Sequence, residues 1–90
     1  MLIPCRVSKG LREKESIVEI TDFHGLKESM PLDKDFVVYK KDKTYLPVRV
    51  LHQDEKEKAA LIALPVESDS GAHRIWVKTE GVLKTEEAPT

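Results

Sequence analysis

Three histidines, one cysteine and one tryptophan have the widest chemical reach in this sequence. His24, His52 and His73 could hold zinc only by converging with further ligands, because a zinc site takes three or four and usually includes a close-spaced pair. No His-x3-His or Cys-x2-Cys pair occurs, and Cys5 stands apart from the histidines. No metal is therefore expected. Asp22 and His24 lie two positions apart, but a dyad needs a nucleophile or a substrate pocket beside it. No serine sits in a Gly-x-Ser-x-Gly elbow. The carboxylates of Asp33-Lys34-Asp35 and Asp54-Glu55-Lys56-Glu57 are mixed with lysines, the pattern of solvated turns. The four glycines stand singly, so no phosphate-cradling loop is formed. No nucleophile, base and electrophile come together in this reading. It points away from an enzyme, and no cofactor is expected.

Trp76 carries the stronger signal. In the run Arg74-Ile75-Trp76-Val77-Lys78, adjacent strand residues face opposite sides. With Ile75 and Val77 inward, Arg74, Trp76 and Lys78 turn outward. In the earlier run Tyr45 to Leu51, Leu46, Val48 and Val50 share one side, and Tyr45, Arg49 and Leu51 the other. The candidate binding face is therefore Tyr45, Arg49, Arg74, Trp76 and Lys78. An aromatic ring among cations can stack on a base or grip an acidic peptide. Two blander readings compete with it: an intramolecular cation–π contact, and an inverted strand phase that puts Trp76 in the core, where tryptophan is on average largely buried.

The elements that would position these residues are short and turn-bounded. Leu2 to Ser8 alternates, with Ile3, Cys5 and Val7 on one side and Pro4 near the strand start. Lys9 to Glu15 is a charged turn in which Leu11 could fold back as a plug. Ser16 to Thr21 is a strand with Val18 and Ile20 on one side. Asp22-Phe23-His24-Gly25 is a tight turn with Gly25 able to take positive φ. Leu26 to Leu32 returns, with Leu26, Met30 and Leu32 in phase and Glu28 breaking the apolar side. Asp33 can cap a single helical turn, and the β-branched pair in Phe36-Val37-Val38-Tyr39 favours strand. Runs at 45–51 and 59–65 flank a charged tip at 52–58, and the run at 73–78 follows Glu67-Ser68-Asp69-Ser70-Gly71. Polar breaks between β-branched runs are the signature of an antiparallel meander. The expected core is Ile3, Val7, Val18, Ile20, Leu26, Val48, Val50, Ile62, Leu64, Ile75 and Val77. Residues 79–83 form a closing turn that tucks in Val82 and Leu83, and 84–90 is expected to be a disordered tail.

Size and charge bound the rest. The chain has 90 residues, enough for one domain spanning 1–83. Net charge is −1, from 15 basic and 16 acidic residues, and neither half is strongly biased. Overall charge thus gives no sign of the basic face on which nucleic-acid affinity usually depends. One cysteine rules out an intramolecular disulfide. No leader-like segment and no apolar run of membrane-spanning length is found. A cytoplasmic protein without membrane contact is expected.

From Tyr45 to Leu83 the pattern resembles the last part of SH3-like small β-barrels. Pro47-Val48-Arg49-Val50-Leu51 leads through a polar tip to Leu61-Ile62-Ala63-Leu64-Pro65, and Arg74-Ile75-Trp76-Val77 with a short turn would close the barrel. The resemblance covers less than half the chain and concerns fold alone. It lacks the acidic and aromatic signature of peptide-binding SH3 domains. The fold expected is all-β: a small antiparallel barrel or meander, SH3-like, with at most one short helical turn. The function expected is that of a small binding module acting through protein–protein contacts or self-association. An RNA- or ribosome-associated role on the same basic, aromatic face is the alternative.

Overall fold

A computed structural model describes residues 1–80 and residue 82. The chain is all-β. Among the described residues nine strands run in order: β1 (Leu2–Pro4), β2 (Arg6–Lys9), β3 (Glu15–Thr21), β4 (Lys27–Asp33), β5 (Val38–Lys40), β6 (Lys43–Pro47), β7 (Arg49–Asp54), β8 (Ala59–Ala63) and β9 (Arg74–Lys78). The one helical turn among the described residues, Lys34–Phe36, is of the 3-10 type. Its cap is Asp33, whose Oδ1 accepts from the Asp35 N–H at 2.9 Å.

All pairings are antiparallel and fall into three sheets, ordered β1-β6-β5, β2-β3-β4 and β7-β8-β9. Two of these strands are bent continuations of others. β1 runs into β2 through Cys5, whose N–H still donates to the Thr44 carbonyl at 3.1 Å. β6 runs into β7 through Val48, whose N–H donates to the Met1 carbonyl at 2.9 Å. Each bend carries the chain from one sheet to the next, so that three small sheets wrap one core. The pairings do not close into a barrel among the described residues.

The core is one cluster: Ile3, Val18, Ile20, Met30, Leu32, Val37, Leu46, Ala60, Ile62, Ile75 and Val77. Val7, Val48, Val50 and Leu64 pack half-buried against it, and so does Val82. Leu26 is a correction to the expected core: it is 63% exposed. It sits in the β3–β4 turn rather than the strand, held there by Asp22, whose Oδ1 accepts from the N–H groups of His24 and Leu26, both at 2.9 Å. Gly25 supplies the turn's positive φ of 88°. Leu11 is no plug either. It is 98% exposed at the β2–β3 tip. The expected strand at 36–39 begins only at Val38, because the 3-10 turn takes Phe36. The expected run 45–51 is divided at Val48, and the tip shortens to residues 55–58 because β7 continues to Asp54. Leu83 and the tail expected at 84–90 lie outside the described residues.

Candidate binding face on the β7–β8–β9 sheet

β8 is the central strand of the last sheet, and its register fixes which side chains share a side. Ile62 aligns with Val50 and Ile75, and Ala60 with Val77, on the inward side. The outward side is a lattice of three rows. Arg49, Ala63 and Arg74 form the first, His52, Leu61 and Trp76 the second, and Asp54, Ala59 and Lys78 the third. With a rise of about 3.3 Å per residue and about 4.8 Å between strands, the lattice extends roughly 13 Å along β9 and about 10 Å across.

His52 reaches this side only because the strand is irregular. Simple alternation from an inward Val50 would send His52 inward too. Val50 pairs with Ile62 but His52 pairs with Leu61, so Leu51 is an extra residue, a β-bulge that re-aims the rest of β7. The ring contact agrees: the His52 and Trp76 centroids lie 6.0 Å apart at 85°, an edge-to-face pair across Leu61. Trp76 remains 38% exposed.

The charges on this face are poorly compensated. Arg49, Arg74 and Lys78 are exposed. The ion pair within 4.0 Å among the described residues is His73 with Glu67, so none of the three cations has a carboxylate partner there. Lys78 Nζ lies 6.0 Å over the Phe23 ring. The one anion of the lattice, Asp54, is turned to its own hairpin, where Oδ1 accepts from the N–H groups of Lys56 at 3.0 Å and Glu57 at 3.2 Å.

β9 is the last strand of its sheet, and such edges invite pairing with other chains. Here the β3–β4 tip blunts the edge: the Phe23 N–H donates to the Trp76 carbonyl at 2.7 Å. What β9 offers to a partner is its face.

Of the five residues expected to form the site, Arg49, Arg74, Trp76 and Lys78 do share one side of one sheet. Tyr45 does not join them. It lies in β6, across the bend at Val48, and is buried at 9% exposure between its cross-strand neighbours Pro4 and Val38. Alternation gave its side correctly, opposite the core residue Leu46, but that side is covered. His52 and Leu61 are the members that strand alternation missed.

The other concavities have weaker credentials as sites. A cleft of about 490 Å³ opens where β1 and β3 part. Its floor is Ile3, Ile20 and Val77, and its walls carry Arg6, Lys27 and Lys78 against Glu19, Asp22 and Glu80, so its charges balance. A second space of about 340 Å³ lies between Pro4–Cys5 and Asp42–Tyr45. Cys5 borders both. Burial pushes its thiol up from the ordinary value of 9.0, with a hydrogen bond from the Thr44 side chain opposing in part. A thiol so placed is protonated near neutrality and a poor nucleophile. The histidines do not converge: His24 lies at the β3–β4 turn, His52 on β7 and His73 ahead of β9. Among the described residues no group of three or more His, Cys, Asp and Glu side chains is placed to hold a metal ion. No helix there is long and apolar enough to cross a membrane.

Comparison of the chain with protein-family models, curated proteins and solved structures gives no match. A functional reading therefore stands on the geometry of the face.

Proposed function

We propose that this protein is a binding module with no catalytic role, acting through protein contacts made by the outer face of β7, β8 and β9. The carrying observation is the lattice itself: three cations with no carboxylate partner among the described residues stand around an exposed Trp76–His52 pair on one side of a three-stranded sheet. Tryptophan and arginine are the residue types that most often dominate binding energy at interfaces. Three cations stand around an aliphatic and aromatic middle row, which suits an interface with a dry centre and a wet rim. The SH3-like resemblance and a cytoplasmic setting belong to the same proposal. The first is supported by strands that bend from sheet to sheet, the second by the single, unbridged cysteine.

Contact with RNA is the second reading, favoured by the same three cations beside a stacking ring. Capture of partners from an extract of the native host, with and without nuclease, tests both. Reversing charge with Arg49→Glu and Arg74→Glu together is expected to abolish capture, and nuclease to leave it intact. Undiminished capture by the reversed variant would rule the face out, and nuclease-sensitive capture would favour RNA.

A further inference from the structure

Resting on that reading, we infer that the occupant of the β7–β8–β9 face is a short acidic segment of a different protein, with an apolar or aromatic residue at its centre.

The sign of the partner follows from the sign of the face. The lattice carries Arg49, Arg74 and Lys78 against Asp54, and the Asp54 carboxylate is engaged by two backbone N–H groups of its own turn. A second copy docked face to face would set this excess of positive charge against itself. Like charges so juxtaposed disfavour a symmetric contact. An acidic partner relieves the excess instead.

The length of the partner follows from the ends of the face. Beyond the first row, β8 and β9 are joined through residues 64–73, which carry Glu67 and Asp69 and no lysine or arginine. Beyond the third row lies the 55–58 turn, where Glu55 and Glu57 alternate with Lys56 and Lys58, and Glu80 follows β9. The cations of the face thus span roughly 13 Å, bounded by carboxylates beyond the first row and by mixed charge beyond the third. A continuous phosphodiester chain running past the first row would cross Glu67 and Asp69, whereas a short acidic segment ends within the face.

The chemistry of the partner's centre follows from the rows. In the first, the small Ala63 lies between Arg49 and Arg74, leaving a seat where two guanidinium groups can take one carboxylate from both sides. One alternation step away, about 7 Å, Leu61 and Trp76 present apolar area with the His52 ring standing against it. Lys78 follows one step beyond. Anion, ring, anion along an extended segment matches Arg74, Trp76 and Lys78 in turn.

Trp76 is the only tryptophan, so tryptophan emission, excited where tyrosine does not absorb, reports on this face alone. The probe is a blocked peptide with two glutamates on each side of a phenylalanine. Its controls are the glutamine analogue and an oligouridylate of equal charge. The acidic peptide is expected to change Trp76 emission saturably, to weaken with added salt, and to bind at least tenfold more weakly to a variant carrying Arg49→Ala and Arg74→Ala whose circular dichroism is unchanged. Arg49→Lys with Arg74→Lys keeps the charge and is expected to restore part of the loss. The inference is overturned by no saturable response, by an equal response to the glutamine peptide, or by tighter binding of the oligouridylate. It is also overturned if emission and sedimentation change with protein concentration alone, which would make a second copy the occupant. If host partners are lost on charge reversal yet the acidic peptide does not bind, the face stands and the acidic segment falls. If capture survives the reversal, the face itself falls.

Discussion

Removing the Glu28 carboxylate should loosen the segment that delivers β9 to its sheet. Glu28 lies opposite Ile20 on the core side of β4, at a position where the strand pattern calls for an apolar residue. Its Oε1 accepts two hydroxyl hydrogen bonds, from Ser68 at 2.7 Å and Ser70 at 2.6 Å. Ser68 is buried, and its Oγ in turn accepts from the Ala72 N–H at 3.2 Å. A neighbouring backbone bond, Asp69 N–H to the Ser29 carbonyl at 2.8 Å, ties the same segment to β4. A hydrogen bond to a charged group contributes about 1.5–3 kcal/mol. Ser70 is exposed, and water replaces most of its share. The buried Ser68 bond dominates, so Glu28→Ala should cost about 2 kcal/mol. Glu28→Gln keeps an acceptor but loses the charge that roughly doubles such a bond, so about 1 kcal/mol is expected. Urea denaturation of Glu28→Ala, Ser68→Ala and the double variant closes a cycle. A coupling of about 1 kcal/mol or more is expected, and for a domain of this size Glu28→Ala should lower Tm by roughly 8–16 °C. Strictly additive losses would refute the argument, because they would mean that Glu28 and Ser68 act without each other.

Burial fixes the remaining expectations. Ile62 has no exposed surface and lies between Val50 and Ile75 in the central strand of its sheet, so Ile62→Ala should cost about 3 kcal/mol from lost transfer energy and the cavity left behind. The exposed Leu26→Ala should stay within about 0.5 kcal/mol, and chemical denaturation of the pair compares them directly. The Cys5 thiol, raised by burial, should react with iodoacetamide more slowly than free cysteine near neutrality and gain reactivity as pH rises beyond 9.0. Because its folded value exceeds its unfolded one, the thiolate forms first in the unfolded chain. The stability this group supports is therefore present below 9.0 and lost as pH rises through the folded value. Subtracting the Cys5→Ser profile isolates the effect. Alkylation as fast as that of free cysteine would contradict the burial.

How legible these features were in the sequence depends on what each required. The β runs around Val18–Ile20, Ile62 and Ile75–Val77 could be read because their β-branched residues fall in phase with a core side and are closed off by polar turns. Asp33 as a cap and Gly25 at positive φ were legible because each is a local rule, satisfied within a few residues. Leu26 failed because the Asp22 side chain extends the turn by capturing its N–H, and alternation does not count side-chain hydrogen bonds to the backbone. Glu28 looked like a flaw in the pattern since its partners, Ser68 and Ser70, lie about forty residues away.

The candidate face shows the same limit from the other side. Parity along one strand decides which way a side chain points, and it placed Arg49, Arg74, Trp76 and Lys78 together. It does not decide whether that side is open, and Tyr45 points away from the core only to be buried on its own sheet. Nor does parity survive an inserted residue. The bulge at Leu51 carries His52 from the core side to the side of Trp76, and no composition or spacing in residues 49–54 announces it. The register of a strand is set by its partners: β8 offers Leu61 and Ile62 as consecutive partners to Trp76 and Ile75 on one edge, but to His52 and Val50 on the other. The extra residue is therefore visible only when all three strands are aligned. The same alignment that brings His52 to Trp76 also brings Asp54 opposite Ala59 and Lys78. Without the bulge, the outward side of β7 would carry Arg49, Leu51 and Gln53, with neither the ring nor the carboxylate. The mixed chemistry of the face is thus a product of one irregularity in backbone pairing, acting on a strand whose residues are otherwise unexceptional.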